Sequence, residues 1–165
     1  MSNGSTFSGQ FRQGQPHGHG ESTTRASSPT NDVLCYEGDY QAGLPHGSGK
    51  CQCRGGITYD GEWKYGRRDG QGTITYPNKS HYTDGFRRGQ MHGHGAFTSP
   101  TSGITYSGTF RNGFVSGEGC LTLASGATLV KNWESKADPK SGHRKDERKT
   151  VMEAIEHMMA QEDSG

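Results

Sequence analysis

The sequence predicts an all-β protein: an elongated, single-layer, twisted antiparallel β-meander of about five hairpin repeats, followed by a short C-terminal α-helix. Three observations carry this. Counting from Phe7, Tyr36, Tyr59, Tyr82 and Tyr106 as position 1, glycine stands at positions 3, 8, 12 and 14 in 19 of 20 cases, with Asp84 the one miss. Aromatic residues keep the same register, at position 1 and again at position 5 as Phe11, Tyr40, Trp63, Phe86 and Phe110. After the last repeat, Thr150 and Glu153 form a T-x-x-E capping box ahead of apolar residues at helical spacing. The repeat starts lie 29, 23, 23 and 24 residues apart, which marks a tandem-repeat architecture.

Each repeat reads as one hairpin. Positions 1, 3 and 5 of a strand project to one face, so every repeat sets aromatic, glycine, aromatic in a row. Glycine weakens a strand interior, and its recurrence at position 3 implies close approach of a ring from a neighbouring strand. Glycine at position 8 sits where the chain reverses and supplies positive φ. A second strand opens on the glycines at positions 12 and 14, as in His46-Gly47-Ser48-Gly49 and His92-Gly93-His94-Gly95. Turn signals such as Pro77-Asn78 and Ser125-Gly126 close it. Two strands per repeat would advance the sheet by about 10 Å, for a ribbon on the order of 50 Å long. About six extra residues in the first repeat, around Thr24 to Thr30, read as a flexible surface loop.

Composition agrees. The chain holds 27 glycines in 165 residues, only 27% hydrophobic residues, and a mean hydropathy of −0.95. That is too little apolar material for a thick two-layer core, and it suits a thin array whose repeats touch only their neighbours. Net charge is +1, with 12 Lys/Arg against 10 Asp/Glu in residues 1–135 and 6 against 7 in residues 136–165. A nucleic-acid partner would require a basic face, so none is expected. No apolar run approaches a membrane span and residues 1–6 are polar, which predicts a soluble cytoplasmic protein. Cys35, Cys51, Cys53 and Cys120 are too few and too irregular for a disulfide framework.

The pattern Y-x-G-x-[FW]-x-x-G-x-x-H-G-x-G resembles the MORN repeat (membrane occupation and recognition nexus), over roughly residues 6–135. A degenerate sixth half-repeat starts at Leu129 and reaches Trp133 at position 5, with Lys131 in place of glycine. The resemblance implies a one-layer twisted sheet with a shallow aromatic groove, and a scaffold role in cytoskeletal, ciliary or membrane-associated assemblies. Asp84 departs from the pattern and is expected to bend the strand or exclude a ring. Asp69 and Ser116 depart from it at position 11, where the family carries histidine.

The chain is thus divided into a repeat sheet (1–135), a charged linker (136–149) and an amphipathic helix (150–161). Val151, Met152, Ile155, Met158 and Met159 form the apolar stripe of the helix. About eleven residues of helix are marginal alone in water. The stripe therefore needs a surface, either the chain's own last strand or groove, or a partner.

The candidate partner site is the aromatic groove of Tyr36, Tyr40, Tyr59, Trp63, Tyr82, Phe86, Tyr106, Phe110 and Trp133, because a one-layer sheet cannot cover both faces and an open apolar patch marks a binding surface. Its occupant would be a protein partner, such as an α-helix or a cytoskeletal component. Position 6 is basic in four of five repeats, as Arg12, Lys64, Arg87 and Arg111, and Arg67, Arg68 and Arg88 lie near the same turns. This edge could meet an acidic partner or acidic phospholipid, or stand as a solvated edge that discourages strand pairing. The His17/His19 and His92/His94 pairs read as structural hydrogen-bonding groups, and Cys51 with Cys53 supplies only half of a structural zinc site. No metal, no cofactor and no catalytic constellation is expected. The leading reading is a non-enzymatic scaffold in a cytoskeletal or ciliary/flagellar assembly. The alternatives are a peripheral membrane adaptor that binds phosphoinositides, and a homo-oligomer formed through exposed strand edges.

Overall fold

The computed structural model of the chain describes residues 5–24, 33–133 and 149–162. Eleven strands pair in strict chain order as one open antiparallel sheet. They are β1 (Thr6–Arg12), β2 (Gln15–Thr23), β3 (Val33–Gln41), β4 (Leu44–Cys53), β5 (Thr58–Lys64), β6 (Arg67–Thr75), β7 (His81–Arg87), β8 (Gln90–Ser99), β9 (Ile104–Arg111), β10 (Phe114–Thr122) and β11 (Thr128–Asn132). One helix, α1 (Val151–Glu162), follows. The expected all-β meander is what the chain forms. The extra loop of the first repeat and the charged linker lie outside the described residues, apart from Thr24 and Lys149.

The hairpins share one construction. Positions 7 and 8 form a two-residue turn with both φ values positive, as in Ala42 (49°) with Gly43 (81°) and Asn112 (52°) with Gly113 (84°). Such turns match the right-handed twist of the flanking strands. Each hairpin then shifts register at the same place, between Gly9 and Phe11, Gly38 and Tyr40, Gly61 and Trp63, and Asp84 and Phe86, and at the matching point between Ser116 and Gly119. Pairing between hairpins is regular throughout.

Neighbouring turns are stitched together. The position-8 N–H donates to the position-10 carbonyl of the preceding repeat: Gly43 to Pro16 (2.9 Å), Gly66 to Pro45 (2.8 Å), Gly89 to Arg68 (2.8 Å) and Gly113 to Met91 (2.9 Å). Position 11 adds a side-chain acceptor. His46 Nδ1 takes the Tyr65 N–H at 3.5 Å, and His92 Nδ1 takes that of Asn112 at 3.5 Å. In the third repeat Asp69 Oδ2 takes the Arg88 N–H at 3.0 Å, so the aspartate does the work of the histidine it replaces.

Asp84 does not interrupt the sheet. It pairs with Gly72 and Gly95 in the register that glycine keeps elsewhere. The departure is confined to its own backbone, held at φ 124°, where L-residues are strained.

Candidate functional site

The two faces of the sheet differ in kind. On the aromatic face the rings lie down across the glycines instead of standing up from the strand. A Cβ at Gly49 or Gly72 would run into the ring of Tyr36 or Tyr59, and one at Gly95 into that of Tyr82. The phenol then reaches its own position-4 carbonyl: Tyr36 donates to Asp39 O (2.9 Å), Tyr59 to Glu62 O (2.9 Å) and Tyr82 to Gly85 O (3.1 Å). Position-5 rings wedge between successive position-1 rings. Trp63 meets Tyr36 at 5.0 Å and Tyr59 at 5.4 Å, and Phe86 meets Tyr59 at 5.0 Å and Tyr82 at 5.3 Å, all edge-on as ring quadrupoles favour. Trp63 Nε1 also donates to Gly49 O at 3.0 Å.

A further row at position 16, Cys51, Ile74, Phe97 and Leu121, fills the space between the rings. Sequence reasoning missed it, although the same 23-residue spacing marks it. Tyr36, Tyr40, Tyr59, Trp63, Tyr82, Phe86, Tyr106 and Phe110 are consequently all buried, none more than 6% exposed. The open aromatic groove expected from the sequence is therefore absent: the rings are one another's core. Burial pushes the phenols of Tyr36, Tyr59 and Tyr82 well above the ordinary tyrosine range. At the last repeat, neither the Tyr106 hydroxyl nor Trp133 Nε1–H makes a hydrogen bond of good geometry. The indole still offsets part of the burial, and Tyr106 is pushed up to about 12.

Helix α1 closes the C-terminal end of the ladder. Lys149 O accepts the Val115 N–H at 2.9 Å, and His157 lies 5.9 Å from the Trp133 ring. Val151, Ala154, Ile155 and Met158 are buried in the common core, while Met152 (49%) and Met159 (40%) face outward. The apolar stripe is thus narrower than expected and includes an alanine, because a helix laid on a sheet buries only its i, i+3, i+4, i+7 line. The capping box forms as expected: Thr150 N–H and hydroxyl both donate to Glu153 Oε2 (2.8 and 3.0 Å), and Glu153 N–H donates to Thr150 Oγ1 at 3.4 Å.

The opposite face is polar and uncovered. Positions 2 and 15 form one row across the strands, running Ser8, Glu21, Glu37, Lys50, Asp60, Thr73, Thr83, Ala96, Ser107, Cys120. A hollow of about 540 Å³ lies over β2–β6, lined by Glu21, Glu37, Lys50, Asp60, Thr58 and Thr75 among others.

The turn rim carries the cations. Arg12, Lys64, Arg67, Arg87, Arg88 and Arg111 are exposed there. Arg68 does not join them. Its guanidinium lies 5.6 Å over the Tyr59 ring, on the aromatic side. Among the described residues, no group of three His, Cys, Asp or Glu side chains is arranged to hold a metal ion. Cys51 and Cys53 lie buried with their sulfurs 3.5 Å apart, and that contact together with burial raises the Cys51 thiol pKa. No helix among the described residues is long and apolar enough to cross a membrane.

A one-layer open sheet of repeated hairpins, with a ring ladder on one face and a hollow on the other, defines a β-repeat protein. The MORN repeat family matches residues 7–24, 36–58, 59–81, 85–104 and 106–128, most of the chain, and the protein belongs to that family. The fourth match begins just past Asp84, where the glycine is lost. MORN repeats occur in protein-interaction and membrane-binding contexts, and the family is generally non-enzymatic. A comparison with curated proteins found no match.

Proposed function

We propose that this chain is a non-enzymatic scaffold that binds a protein partner, in a cytoskeletal or ciliary/flagellar assembly. The observation that carries the reading is the hollowed polar face over β2–β6, backed by the ring ladder on the other side of the sheet. A sheet whose core lies on one face leaves the other face formed before a partner arrives, and such preorganisation lowers the entropic cost of binding. The buried aromatic rings support that surface from behind. Filling the hollow tests this. Thr58→Tyr with Thr75→Tyr, two directly paired positions on that face, should leave circular dichroism and melting unchanged and remove the partners captured from cells by the tagged wild-type chain. An unchanged partner set would overturn the reading. Localising the tagged copy tests the assembly: signal on a cytoskeletal or axonemal structure is expected, and a uniformly diffuse signal contradicts it.

A second reading, peripheral binding to acidic phospholipid, is favoured by the exposed rim cations Arg12, Lys64, Arg87 and Arg111. Sedimentation with anionic vesicles at physiological salt decides it: loss of binding in the four-fold glutamine variant supports the rim, and no binding by wild type removes it.

A further inference from the structure

Charge is not spread evenly over the polar face. Over β2–β5 the row of positions 2 and 15 is Glu21, Glu37, Lys50 and Asp60, joined on the same face by Asp39, Glu62 and Lys64, whereas the row over β6–β10 is Thr73, Thr83, Ala96, Ser107 and Cys120. The part of this face over β2–β5 is thus its acidic sector, while Glu118 lies on the same face outside it.

Within that sector the pairing is unfavourable for the free protein. Glu21 stands directly opposite Glu37 on adjacent antiparallel strands. Like charges in that arrangement destabilise a sheet. Lys50 is the cross-strand neighbour of Glu37 on its other side, yet it extends away to Asp60, with Nζ 3.1 Å from Oδ2. Asp39 is engaged by the Ser48 N–H at 3.3 Å and by His19 at 3.5 Å. Glu21 and Glu37 have neither an ion pair nor a side-chain hydrogen bond among the described residues. Both line the hollow.

The geometry points to a lysine- or arginine-rich segment of a protein partner as the occupant of this sector, its cations set between Glu21 and Glu37. This rests on the reading of the polar face as the partner surface and adds the chemistry of what binds there. A cation on the partner relieves a repulsion that the free sheet bears and supplies each carboxylate with charge-assisted hydrogen bonds. The same sector repels an anionic bilayer, so a membrane would have to approach by the rim.

The probe is a fluorescent oligolysine peptide titrated into the full chain, with an oligoglutamate peptide as counterpart. Wild type should bind oligolysine, more weakly as salt rises, and should not bind oligoglutamate. Glu21→Gln with Glu37→Gln should weaken oligolysine at least tenfold while raising the melting temperature, since the repulsion is gone. Glu118→Gln, on the same face but outside the sector, should leave the affinity within twofold of wild type. A gain of stability with a loss of binding separates a docking role from a structural one. Equal losses in the two variants, or unchanged affinity in the double variant, would overturn the inference. If oligolysine fails to bind while the hollow-filling variant still loses its cellular partners, this inference falls and the scaffold reading stands.

Discussion

The aromatic face and the polar face of this sheet are built from the same eleven strands, and they spend their side chains on different tasks. On the aromatic face nearly every ring is consumed by its neighbours, so that a sheet without a second layer still has a core. On the polar face the cross-strand contacts among the described residues include threonine pairs such as Thr73 with Thr83 (3.1 Å), His19 with Asp39 (3.5 Å) and a lysine–aspartate bridge (3.1 Å), and a hollow remains. Stability therefore resides on one face and availability on the other.

The largest expected effect comes from deleting a wedge ring. Phe86→Ala, which takes away the contacts with Tyr59 and Tyr82, should cost about 3–5 kcal/mol, whereas Ser107→Ala on the polar face should stay within about 0.5 kcal/mol. Urea denaturation of both variants checks the contrast, and similar losses would erase the division between the faces. Next is Gly49→Ala, whose new methyl overlaps the Tyr36 ring. Overpacking of this kind costs about 1–3 kcal/mol, read in the same assay.

The sequence marks close approach at position 3, but what comes close there is the backbone of the neighbouring strand; the cross-strand ring lies on the position-14 glycine, which the pattern marks only as opening the second strand. What the pattern could not show was where the ring goes once it has room. A ring standing upright would make an open groove; a ring lying flat, tied by its hydroxyl to the Asp39 or Glu62 carbonyl, makes a core. Periodicity reports which face a side chain is on, not its tilt. The turn at position 8 was read correctly, but position 7 was not, because Gln13, Ala42, Tyr65 and Arg88 carry no sequence mark of positive φ. The acidic sector was hidden as well, since it exists only once register sets Glu21 opposite Glu37. In the tail, Met152 and Met159 share the hydrophobicity of the buried stripe while Ala154 does not, so hydrophobicity alone drew the stripe too wide.

A smaller effect, of opposite sign, is expected where the lattice is broken. Asp84 is held at φ 124°. Relief of such strain is worth about 1–3 kcal/mol, less the roughly 0.5–1 kcal/mol that glycine loses in entropy. Asp84→Gly should therefore stabilise the sheet by about 1 kcal/mol in thermal melts; a destabilised variant would mean that the aspartate makes a favourable contact there.

The smallest effect concerns the helix that ends the core. The Thr150 N–H and hydroxyl hold the Glu153 carboxyl below its usual range. A depressed carboxyl contributes stability above its unfolded pKa and loses it as pH falls through the folded value. Acidification below about pH 4 should loosen α1 before the sheet, read as a change in Trp133 fluorescence. Glu153→Gln should remove that step, and its persistence in the variant would place the acid sensitivity elsewhere.

Whether the rings are core or groove is tested most directly by spectrophotometric titration of the tyrosines. The phenols of Tyr36, Tyr59, Tyr82 and Tyr106 are raised by burial, Tyr106 to about 12. A raised phenol contributes stability that is complete below the unfolded value near 10 and is lost as pH rises through the folded one. These four should stay protonated while the sheet is folded and then ionise together in a step that coincides with loss of the β-sheet circular dichroism. Ionisation of all seven tyrosines near pH 10, with the sheet signal intact, would contradict the account and return the rings to an open groove.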